Sequence, residues 1–169
     1  MNEIVSVIQE TNTLWGMLTF VGGAVAGIAT IFLIAWKGLF VWYRIGKGLA
    51  KRKIAIFADT EFDSLKDLLV DSGLIREKNI IKIGKRNMAK AENCSLYLVH
   101  YLPFKAEIDS ILAQKKDKDA LIVYAPRDEG NIEPDHMKKI NKQRNTTTVN
   151  FQGRMLNDVF ISMITTSFK

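Results

Sequence analysis

Cysteine is nearly absent from this chain. Cys94 is the single one among 169 residues, so no disulfide can form within the chain. That usage suits a reducing cytosol. Histidine is almost as scarce. His100 and His136 stand far apart, with no cysteine or acidic spacing around them, which leaves no metal-ligand pattern. No G-x-G-x-x-G, no Walker loop and no G-x-S-x-G occurs, so no phosphate loop or nucleophile elbow can be read from a motif. Only three prolines are present, and no repeat, low-complexity stretch or flexible linker divides the chain. Charge is missing altogether from residues 14–36, and this last absence shapes the rest.

Those 23 residues run from Leu14 to Trp36, with Trp15 and Trp36 near the two ends. At a rise of about 1.5 Å per residue they reach roughly 34 Å, against a hydrocarbon core of about 30 Å. Tryptophan favours the two interfaces of a bilayer. The pattern predicts a transmembrane helix over 14–36, after a short extracytoplasmic segment, 1–13. A signal peptide would open with basic residues, but Glu3 and Glu10 are the charges there. Six basic residues follow the span: Lys37, Arg44, Lys47, Lys51, Arg52 and Lys53. The positive-inside rule then puts the amino terminus outside and the rest of the chain in the cytosol, at the inner (plasma) membrane. Residues 37–52 read as a basic interfacial segment facing anionic headgroups.

The net charge of +6 divides unevenly. Residues 1–53 hold six of the 24 basic and two of the 18 acidic residues, and so account for +4. The high isoelectric point therefore reflects topology more than a nucleic-acid footprint, and no nucleic-acid partner is expected. The glycosylation patterns at Asn93 and Asn145 would face the cytosol and are taken as chance matches. Gly23 and Gly27 form a G-x-x-x-G pair, and Gly16, Gly22, Ala26 and Thr30 add small surface around it. Small faces let helices approach closely, so Gly16, Gly23 and Gly27 are the candidate packing residues of a homo-oligomer.

Residues 53–169 suffice for one compact domain. Short apolar runs at 54–57, 79–84, 96–99, 120–124 and 146–151 read as strands. Helical spacing appears in Phe62, Leu65, Leu68 and Leu69, stopped by Gly73. It recurs at Phe104, Ile108, Ile111 and Leu112, weakly around 135–143, and again from Met155 to Ile164. Residues 86–94 read as a short helix or loop. Five alternations of apolar strand and helix predict an α/β fold: a doubly wound, parallel, five-stranded sheet with strands buried on both sides, in the flavodoxin-like order 2-1-3-4-5.

The element order over residues 53–168 resembles that of response-regulator receivers and TIR domains. Receivers have acidic residues after strand one, an aspartate at the end of strand three and a lysine after strand five. Asp59 matches in part. Strand three ends in Val99-His100-Tyr101 and strand five in Asn150-Phe151-Gln152, so receiver phosphorylation is not implied. Catalytic TIR domains carry a glutamate in the helix after strand three that acts on NAD. Glu107 falls near that place, without the usual Ser and Trp-Cys context.

Ligands of open parallel sheets sit beyond the carboxyl ends of the strands, at the switch point. The loops there supply Asp59 and Thr60, then His100 and Tyr101, then Arg127, Asp128 and Gly130, then Asn150, Gln152, Gly153 and Arg154. The candidate ligand-binding set is Asp59, Thr60, His100, Arg127, Asn150, Gly153 and Arg154. Gly153 and Arg154, between strand and helix, suit a phosphate. The structural alternative has Gly153 making a tight turn and Arg154 pairing with Asp158 one helical turn on.

The leading functional expectation is a membrane-anchored signalling or effector protein. Its domain binds a ligand, a nucleotide among the candidates, or a partner protein, and controls association of the spans. The plan is similar to single-span bacterial antiviral effectors that disrupt membranes. Two alternatives stand beside it: a scaffold subunit of a membrane complex, and a TIR-like NAD-cleaving enzyme using Glu107. The sequence does not identify a cofactor.

Overall fold

The computed structural model describes residues 2–50, 52–73 and 75–166. The chain forms two compact units, Met1–Arg44 and Ile45–Lys169.

Helix α1 runs from Asn2 to Ala50 without a break. No proline falls in this range, so nothing removes a backbone donor or stops the helix. The segment read as interfacial, 37–52, is therefore helical through Ala50. Within α1, Met17–Phe40 is long and apolar enough to cross a membrane, with mean hydropathy 2.2 and none of it buried. The stretch ends four residues beyond the expected Trp36, because Leu39 and Phe40 extend it past Lys37. Its two threonine side chains turn back on the helix itself. Thr19 Oγ1 donates to the Trp15 carbonyl at 3.0 Å, and Thr30 Oγ1 to that of Ala26 at 2.8 Å. The rings of Phe32 and Trp36 stack at 5.9 Å.

The second unit is an α/β domain. Its strands are β1 (Ile54–Phe57), β2 (Ile80–Ile83), β3 (Leu96–His100), β4 (Ala120–Tyr124) and β5 (Thr146–Val149). All pairs are parallel, and the order is β2-β1-β3-β4-β5, the order expected from the alternation. The helices are α2 (Phe62–Asp71), α3 (Ile108–Gln114), α4 (Pro134–Lys142) and α5 (Gln152–Thr165). Residues Met88–Asn93, between β2 and β3, form a 3-10 helix.

Alternation along the strands decides which helix packs where. Ile54, Ile56, Leu96, Leu98 and Ile122 point to one face. Leu65 and Leu69 of α2, four residues apart, cover it together with Met155, Val159 and Met163 of α5. Phe57, Tyr97, Val99, Leu121 and Val123 point to the other face, under Ile108 and Ile111 of α3 and Ile140 of α4. Burial on both sides holds for β1, β3 and β4. It does not hold for β2 and β5, which are the sheet edges and keep partly exposed residues. Gly73, just past the end of α2, has φ +69°, a conformation that side chains with a Cβ rarely adopt, and so it ends the helix.

Candidate functional site

The carboxyl edge of the sheet gathers the loops after β1, β3, β4 and β5. β3 delivers His100 there almost fully buried, with 1 % of its surface exposed. Its Nε2 lies 2.6 Å from Glu129 Oε2, in the 3-10 turn Arg127–Glu129 that follows β4. The carboxylate accepts only, so Nε2 carries the proton. His100 Nδ1 is buried without a hydrogen-bond partner. The imidazole tilts against the Tyr124 ring at 5.6 Å. Burial pushes the Tyr124 phenol up from its ordinary value. The charges of Glu61, Asp128 and Glu129 push the same way, and a hydrogen bond with Gln152 opposes them. His100 and Tyr124 thus form a packed ring pair beneath a largely acidic rim.

A second network lies beside the first. Tyr101 Oη is 2.9 Å from His136 Nδ1 and accepts the Glu133 backbone N–H at 3.1 Å. Lys105 lies 2.7 Å from Glu133 and holds that carboxyl below the usual range by a hydrogen bond. These contacts tie the end of β3 to the start of α4. Between the β4 and β5 loops lies a cleft of about 280 Å³ lined by Ala125, Gly130, Ile132, Met137, Val149 and Asn150, among others. Gly130 has φ +99°, so this position requires glycine on backbone grounds.

The sequence-derived candidates therefore separate. Asn150 lines the cleft, as does Gly130. His100 is engaged with Glu129. The Arg127 guanidinium lies over the half-exposed Phe151 ring at 4.7 Å. Asp59 and Thr60 are exposed in the turn before α2. Gly153 is the second residue of α5 and has ordinary helical backbone, so the tight turn expected of it is not there. A Cβ built on it would meet nothing within 4 Å. Arg154 Nε lies 3.6 Å from Asp158 Oδ2, the i,i+4 pair of the structural alternative. Glu107 closes the 3-10 turn Lys105–Glu107, with Oε1 3.8 Å from Lys85 and Oε2 buried without a partner. Among the described residues, no group of three or more His, Cys, Asp or Glu side chains is placed to hold a metal ion.

Glu129 and Phe151 were missed in the sequence. Glu129 is one acid in a polar loop, and only the fold brings it to a histidine 29 residues earlier. In α1, a Cβ built on Gly23 or Gly27 meets nothing within 4 Å, so one face of the helix is open there. The surroundings of Gly16 lie outside the described residues.

No protein-family model matches the chain, and neither a curated protein nor a solved structure shows significant similarity to it.

Proposed function

We propose that this chain is a single-span membrane protein with a flavodoxin-like cytosolic domain. The domain takes a small ligand or a partner segment at the carboxyl edge of its sheet, and binding alters how the spanning helices associate. One observation carries the reading. Met17–Phe40, with Lys37 its one charged residue, is strongly apolar and unburied, unlike the small apolar patches that soluble monomers expose. A bilayer accounts for it, because a helix satisfies its own backbone there and the threonine hydroxyls already find carbonyls within the helix. Seven of the chain's 11 glycines fall in α1, where each costs about 1 kcal/mol relative to alanine in water. In a membrane, small residues instead favour helix contact, and Gly23 and Gly27 are free to make it.

The basic residues from Lys37 to Lys53 favour a cytosolic domain. The cleft of about 280 Å³ at Asn150 and Gly130 is the favoured ligand position, at the edge where parallel sheets bind ligands. Its lining carries no cation. That favours a neutral polar ligand portion at this spot over a phosphate. The test compares oligomer size in bilayers, by single-molecule photobleaching, for the full chain and for residues 1–53. The domain should change the distribution. Identical distributions would show that it does not govern the helices.

A further inference from the structure

The opposite edge of the sheet holds a larger cleft, of about 400 Å³. It opens where β1, β3 and β4 begin. Arg52 comes from just before β1, Glu92 from before β3, and Lys116, Lys118 and Asp119 from before β4. Thr166 closes it from beyond α5. Three cations meet two carboxylates there, and each carboxylate has one partner. Glu92 lies 3.8 Å from Lys116. Asp119, nearly fully buried, accepts the Lys116 backbone N–H at 3.3 Å.

Two cations remain. Arg52 Nη1 donates to the neutral Thr166 hydroxyl at 2.7 Å, and among the described residues no carboxylate forms an ion pair with it. Burial lowers the Arg52 pKa, with the more distant charge of Asp119 working against the shift. A guanidinium has five N–H donors, and leaving a partly desolvated cation with one neutral partner is costly. Lys118 is exposed and has no ion pair among the described residues. Charge-assisted forks of this kind match the oxygens of a phosphate.

We propose that the cleft at Arg52 and Lys118 binds a phosphate group. The ligand-edge rule points to the other side of the sheet, and the arginine favoured there, Arg154, is already paired with Asp158. The phosphate belongs either to a soluble compound or to an anionic lipid headgroup. The two arms of the test below separate these sources. The soluble source does not depend on the membrane reading above.

The test is hydrogen exchange on the full chain, following amides 93–95 and 116–119. In one arm the chain sits in neutral detergent and inorganic phosphate is titrated against sodium chloride of equal ionic strength. In the other it sits in nanodiscs of phosphatidylcholine, with or without phosphatidylglycerol, and no free phosphate. Saturable protection by phosphate beyond that by chloride supports a soluble source. Protection only with phosphatidylglycerol supports the headgroup. In either case Arg52→Gln should weaken the effect about tenfold, and the exposed Lys118→Gln, which leaves the fold untouched, should weaken it severalfold. Arg154→Gln should change nothing. No protection in either arm overturns the proposal, as does protection undiminished by Lys118→Gln and Arg52→Gln together.

Discussion

Removing the Glu129 carboxylate probes the buried histidine directly. The side chains of His100 and Glu129 are 2 % and 29 % exposed, and their hydrogen bond is short at 2.6 Å. Glu129→Ala leaves Nε2–H without its acceptor, and Nδ1 already lacks a partner. A buried donor left unpaired costs about 1–3 kcal/mol, and solvent around the partly exposed carboxylate trims the upper end. A loss of about 2 kcal/mol corresponds to roughly a 30-fold fall in amide protection where exchange follows global opening. The assay is hydrogen exchange of the β3 and β4 amides, since far-UV signals would be dominated by α1. His100→Phe keeps a ring against Tyr124 and removes both nitrogens, so it should cost less than Glu129→Ala. On that background, Glu129→Ala should cost under about 0.5 kcal/mol. Equal costs of Glu129→Ala with and without His100 would refute the reasoning.

Three further outcomes are expected. Tyr97 Oη is buried without a partner and its pKa is pushed up to about 12, first by burial and then by nearby Asp119. The unfolded phenol ionises near pH 10 and the folded one resists, so stability is full below pH 10 and falls by about 2–3 kcal/mol toward pH 12. Tyr97→Phe should flatten that alkaline limb in a pH series of unfolding measurements and leave neutral-pH stability equal or higher. Gly130→Ala forces a Cβ into φ +99° and should cost about 1–3 kcal/mol, whereas Gly153→Ala should cost nothing or stabilise α5; denaturant melts of both variants check the contrast. Gly23→Leu with Gly27→Leu should shift photobleaching counts toward monomers, and unchanged counts would remove this face from the interface.

The fold was legible where a run of apolar residues had one explanation. Ile54–Phe57 and Ala120–Tyr124 emerge with the boundaries read from the sequence, because a central parallel strand is apolar on both faces. The edge strands are shorter than expected. β5 stops at Val149, leaving Asn150 and Phe151 to the loop, where Phe151 packs under Arg127. The full length of α1 was hidden because the basic residues after Trp36 change the charge without breaking the helix. The site was less legible. Arg154 and Asp158, one turn apart, could be paired from spacing alone. The contacts of Arg52 with Thr166 and of His100 with Glu129 link distant segments, and no local pattern announces them.

The central claim is that Met17–Phe40 spans a membrane with the α/β domain on the cytosolic side. Cys94 is buried, and replacing it with serine allows single cysteines to be placed at Asn2 and at exposed Lys138. Labelling of intact bacterial spheroplasts with a membrane-impermeant maleimide is the measurement. Asn2→Cys should react in intact cells, and Lys138→Cys only after lysis. Reaction of Lys138→Cys in intact cells, or recovery of the chain in the soluble fraction, would contradict the account.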